Sequence, residues 1–142
     1  MRIIIINNKS GKNTVIWILL IAVCSLILRS AIVQIIRSNI TQNESYASVT
    51  LRSTSAALEN YAKDNHGNFP ASLNVLTESE PAYLNKNYLV NSIKGYNFNC
   101  SRLDPSGYNC SALPVKCNVT GRMVFTITTG GIIVSEECFK KE

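Results

Sequence analysis

Histidine occurs once in these 142 residues, at His66, and none of the five cysteines is spaced as C-x-x-C. The usual zinc-ligand patterns are therefore missing. So are H-E-x-x-H, a glycine-rich phosphate loop and carboxylates paired for acid–base work. A Cys–His couple exists on paper, but no acid is spaced to orient His66, and disulfide bonding would consume the thiols. The chain reads as a non-enzyme with no cofactor. Charged residues make up only 16%, and the formal charge of +5 contains no basic run. Nucleic acid is therefore not an expected partner. Arg102, Lys116, Arg122, Lys140 and Lys141 read as a solvated surface.

Glycine and proline are absent from Lys12 to His66, a stretch of 55 residues. Without either helix breaker, one unbroken helix is expected there. Its character changes midway. Thr14 to Leu28 is apolar except for Thr14 and Ser25, and the apolar stretch continues to Ile36, 23 residues in all. That length crosses a hydrocarbon core of about 30 Å at about 1.5 Å per residue. Arg29 interrupts it and is expected to snorkel to the interface. The alternative is pairing with a carboxylate of a neighbouring subunit. Arg2, Lys9 and Lys12 precede the run, which favours a cytoplasmic N-terminus. A cleaved signal peptide would show a small-x-small site after the run. Here Ser30-Ala31 leads into more apolar helix, so a retained single-pass anchor is expected.

Beyond Ile36 the sequence turns amphipathic. Ile36, Ile40, Ala47, Leu51, Leu58 and Ala62 recur at steps of four and seven, with Tyr61 beside them. Glu59 and Lys63 form an i, i+4 pair in the favoured order. Gly67 then stops the helix, with Pro70 beyond it. The Leu51–Leu58–Tyr61 part of the stripe is expected to pack on a sheet supplied by the rest of the chain. Between Ile36 and Ala47 no local partner is evident, so Ile36, Ile40, Ala47 and Leu51 are assigned to helix assembly with further copies; the alternative is a loose juxtamembrane stalk.

After the helix, Leu73, Val75 and Leu76 suggest a short helix capped near Ser72. From Gly95 the period becomes two. Tyr96, Phe98 and Cys100 alternate, Asp104-Pro105-Ser106-Gly107 is a turn, and Tyr108, Cys110 and Ala112 alternate in the return strand. Met123, Phe125 and Ile127 form a third strand, Thr129-Gly130-Gly131 a turn, and Ile132 to Cys138 the last strand. The expected fold is α+β, a long N-terminal helix packed on an antiparallel sheet of three or four strands. Four cysteines in this small domain indicate disulfides and an oxidising compartment. They permit three pairings. Cys100 and Cys110 flank one turn on the same pleat face, so that bridge is preferred, leaving Cys117 with Cys138. Cys24 reads as lipid-facing or packing.

Asn39 to Tyr61, Asp64-Asn65-His66-Gly67-Asn68-Phe69-Pro70 and Gly95-Tyr96-Asn97-Phe98 resemble bacterial type IV pilin-like proteins, most of all the major pseudopilins of type II secretion. The resemblance covers about residues 37 to 134. It implies a leader-like segment (1–11), a transmembrane half-helix (12–36), an amphipathic half-helix (37–66) and a connector with a disulfide-bearing sheet (67–142). It also implies like subunits, an inner-membrane assembly platform and a prepilin peptidase as partners. In this register Gly11 stands where the leader ends, and cleavage would fall between Gly11 and Lys12. Lys12 replaces the family's Phe, Ile16 its Glu and Val33 its helix proline. Glu136 and Glu137 lack the Asp-rich, carbonyl-rich turns of the family's calcium site, so no metal is expected. The rival function is a monomeric membrane-anchored extracytoplasmic binding module. Asn39, Asn43, Asn99, Asn109 and Asn118, each opening an N-x-Ser/Thr triplet, give it some support.

Overall fold

The computed structural model describes residues 9–89 and 91–138, the first five of these as helical backbone only. Two helices and four strands follow in the order α1 (Lys9–Asp64), α2 (Leu73–Glu78), β1 (Tyr96–Asp104), β2 (Gly107–Pro114), β3 (Met123–Thr128) and β4 (Ile132–Glu137). The chain divides into two units, Met1–Arg37 and Ser38–Glu142.

In the first unit the described residues are all helix, and every large apolar side chain from Val15 to Ile36 faces outward. Trp17 is 66% and Leu26 67% exposed, far above the burial of a soluble protein's core helix. The helix contains a stretch long and apolar enough to cross a membrane, with a mean hydropathy of 2.5.

In the second unit the sheet is a simple antiparallel meander in the order β1-β2-β3-β4. Tight turns connect β1 to β2 and β3 to β4 because the turn residues are where such turns need them, while residues 115–122 form a longer loop between β2 and β3. Ser106 N–H donates to Asp104 Oδ1 at 2.8 Å across the β1–β2 turn. Gly130 and Gly131 take positive φ (86° and 72°) in the β3–β4 turn. Pleat alternation then sorts the faces. Tyr96 and Phe98 of β1, Tyr108, Cys110 and Ala112 of β2, and Ile127 of β3 are buried. Against them lie Ala47, Leu51, Ala57, Leu58 and Ala62 of α1, with Phe69, Leu73, Leu76 and Leu84 of the connector. Two edge-to-face ring pairs help close the end of the core: Phe69 on Tyr108 at 5.3 Å and Tyr61 on Tyr83 at 5.5 Å between centroids.

The helix exit differs in detail from the sequence expectation. The left-handed residue after α1 is His66 (φ 59°), followed by Gly67 (φ 86°). Gly67 N–H reaches back to Ala62 C=O at 2.7 Å, the six-to-one bond of a Schellman ending. Glycine sits one place later because that ending turns over two residues. Ser72 holds the N-cap position of α2 in extended conformation, but its side chain makes no capping hydrogen bond.

Candidate functional site

The candidate site is α1 itself. The sequence expectation of a Glu59–Lys63 pair is not met. Glu59 Oε1 turns toward the sheet, accepting from Tyr108 O–H at 2.9 Å and Gly130 N–H at 2.7 Å. A carboxylate gains more from two directed donors than from one mobile ammonium in water. Because the Tyr108 hydroxyl proton goes to Glu59, the 2.7 Å contact with Ser55 Oγ must be donated by Ser55. Gly131 N–H donates to the same phenol oxygen at 3.3 Å. Desolvation raises the Tyr108 pKa, and the Glu59 charge adds to that, against the lowering effect of Ser55.

A second clip lies about four turns before Glu59 on the same helix. Glu44 Oε1 accepts Arg122 N–H at 2.7 Å, and Asn43 Nδ2–H donates to Thr120 C=O at 2.9 Å. Both partners belong to the β2–β3 loop. Tyr96 stands beneath this loop, fully buried, its hydroxyl donating to Met123 C=O at 2.8 Å. Burial first, and the nearby Glu44 charge second, push its pKa up to about 12. Gly121 has to be glycine there, since a Cβ would lie 2.1 Å from the Tyr96 hydroxyl oxygen. Among the described residues no buried polar side-chain atom lacks a partner.

These contacts revise the assembly assignment. Ala47 (0% exposed) and Leu51 (2%) are core residues of the chain's own domain, and Ile40 (3%) is covered as well. They cannot meet another copy without unfolding. The local partner that the sequence did not show is the β2–β3 loop, which reaches α1 at Asn43 and Glu44. Ile36 is 44% exposed. Gly11 and Lys12 lie in helical backbone at the start of α1, and their side chains fall outside the described residues. Met1 to Asn8 of the leader-like segment also fall outside them.

The cysteines are paired Cys100–Cys110 and Cys117–Cys138, and Cys24 is free and exposed. Cys100 and Cys110 sit directly opposite each other across β1 and β2, beside a bulge that shifts the register at Arg102. Cys117 and Cys138 tie the β2–β3 loop to the end of β4, where Cys138 N–H also donates to Arg122 C=O at 2.7 Å. This bridge therefore holds the same loop that clasps Asn43 and Glu44. Among the described residues no group of His, Cys, Asp and Glu is placed to hold a metal ion.

The sequence showed no sign of the clips made by Asn43, Glu44, Ser55 and Glu59. Their partners are mostly backbone groups and one phenol far along the chain, and no local spacing encodes them. Compared with known proteins, the chain matches no family model, no curated protein and no solved structure.

Proposed function

We propose that this chain is a membrane-anchored, pilin-like structural subunit that assembles with like subunits through its N-terminal helix, in a type II secretion or type IV pilus-type machine. The observation that carries this reading is the change in burial along α1. Residues 14–36 are mostly apolar and all exposed, while beyond Ser38 one face is buried under a small stapled sheet. Exposed apolar helix on this scale needs lipid or other helices to cover it. Two disulfides favour an oxidising side for the sheet domain, such as the periplasm, with the N-terminus in the cytoplasm and the helix in a bacterial inner membrane.

With Ile40, Ala47 and Leu51 committed to the internal core, helix packing between subunits falls to residues 14–36. Ile36 is the last apolar position available to it. An intact mass measured on protein purified from native membranes tests the reading. A chain starting at Lys12, with or without an added methyl group, supports processing as a pilin-type subunit. A chain that keeps Met1 removes the usual route into a filament and favours the monomeric binding module.

A further inference from the structure

In the second unit, the carboxylates of α1 are all spent inside the domain. Glu44 holds Arg122 N–H, Glu59 holds Tyr108 and Gly130, and Asp64 Oδ2 accepts from Tyr83 O–H at 2.7 Å. The two cations of that segment, Arg52 and Lys63, are exposed and form no ion pair among the described residues. Val49 (61% exposed) lies on the outward side of the helix with Lys63 further along it, Tyr46 (37%) on one flank and Arg52 on the other, where Arg52 borders Ile133, Val134 and Ser135 of the sheet. The result is a ridge with Val49 at its crest and two cations, Arg52 and Lys63, beside it.

The sheet carries the opposite pattern. Leu113, Pro114, Val124 and the Cys117–Cys138 bridge line an open groove of about 400 Å³, bounded by Glu136 and Glu137. Leu113 is 43% exposed, and Val115 beside the groove is 53%. Both glutamates are exposed and make no ion pair among the described residues. An apolar floor with an acidic rim matches an apolar ridge with basic residues.

We propose that the Tyr46–Val49–Arg52 ridge of one copy docks in the Leu113–Val124–Glu136–Glu137 groove of the next. This rests on the assembly reading above and names the surfaces it uses outside the apolar half of α1. Ridge and groove are different patches, so the contact is head-to-tail and each copy still offers one free surface. Such a contact propagates instead of closing as a two-fold dimer. Sign matching also fixes direction, because ridge on ridge and groove on groove both set like charges together.

The test is photo-crosslinking of the full-length chain in native membranes, with p-benzoylphenylalanine placed at Val49 and, in a separate chain, at Ile36. The expected result is an intermolecular adduct from position 49 that maps to Leu113–Cys138 of a second copy. Glu136→Arg with Glu137→Arg should lower its yield about fivefold, as loss of two exposed ion pairs implies. Arg52→Glu with Lys63→Glu in the same chain should restore it. Adducts from position 49 only to lipid, to another α1, or to no other copy, while position 36 still links copies, overturn the groove contact and leave the subunit reading standing. Failure at both positions overturns both.

Discussion

The two halves of α1 share one secondary structure and have opposite environments. From Val15 to Ile36 nearly all side chains are apolar and all are exposed. From Ser38 to Asp64 the sequence is rich in Ser, Thr and Asn, yet Ala47, Leu51 and Leu58 are almost wholly buried, and Thr50, Thr54 and Ser55 are only 4% exposed each. Helix formation is therefore not what separates them. In the second half the stabilising term is packing against the chain's own sheet. Among the described residues the first half is covered by no such partner, and it is long and apolar enough to cross a membrane. A helix can carry hydrophobicity for two purposes, and composition does not tell which: the less hydrophobic half is the one with a core.

The sharpest way to break this comparison is to charge the first half. Leu20→Lys with Ile21→Lys should cost membrane insertion about 5–7 kcal/mol, at about 2.5–3.5 kcal/mol for each lysine near the bilayer centre. The chain should move from the membrane to the soluble or degraded fraction on fractionation. Any recovered protein should keep the circular dichroism and the disulfides of the second unit. Unchanged membrane retention would show that residues 14–36 do not anchor the chain.

The converse change is smaller and separates the halves in the other direction. Leu58→Ala should destabilise the domain by about 2–5 kcal/mol, read from denaturant unfolding in mild detergent, because it opens a cavity between α1 and the sheet. Leu20→Ala should leave that transition within about 0.5 kcal/mol. Equal effects at the two sites would mean that the halves unfold as one body.

Glu59 and Lys63 sharpen the comparison at the level of single side chains. The helix rule pairs them, while the fold sends Glu59 to Tyr108 and Gly130. Glu59→Ala should cost about 1–3 kcal/mol, because both donors lose their acceptor in a half-buried place. Lys63→Ala should stay within about 0.5 kcal/mol. A costly Lys63→Ala would restore the local pair as the stabilising contact.

That contrast also marks how far the sequence could be read. The unbroken helix, its change of character near Ile36, the strands and two of the hairpin turns were legible, because periods of 3.6 and two, and Asp-Pro-Ser-Gly and Thr-Gly-Gly turns, are local signals. The clasp on α1 at Asn43 and Glu44, between the buried Ile40 and Ala47, was not legible. It comes from the β2–β3 loop, residues 115–122, which has no period and whose contacts to Asn43 and Glu44 span more than seventy residues. The same gap led Ile40 and Ala47 to be assigned to other copies, and Leu51 to other copies as well as to the sheet, when all three are buried in the chain's own domain. His66 at the left-handed position illustrates a milder case: the stop was visible from Gly67, but which residue turns first depends on where the last helical hydrogen bond forms.

The smallest expected effect concerns Tyr96 and tests whether the loop seals α1 as tightly as the burial suggests. Its phenol ionises ordinarily at 10.0 and in the fold at about 12, chiefly through desolvation. Between those values the unfolded chain has released the proton and the folded chain has not. The folded state then binds more protons than the unfolded one, so stability falls as pH rises. The contribution is intact below pH 10 and is lost as pH climbs toward 12. Tyr96→Phe removes the titrating group, and with it the hydrogen bond to Met123 C=O, lowering stability at neutral pH by about 1 kcal/mol. Above pH 10 the variant's melting temperature should fall less steeply than that of the parent chain, so the two curves converge. Parallel curves throughout would place the Tyr96 hydroxyl in contact with water, and the loop over residues 43 and 44 would then be a loose cover instead of a seal.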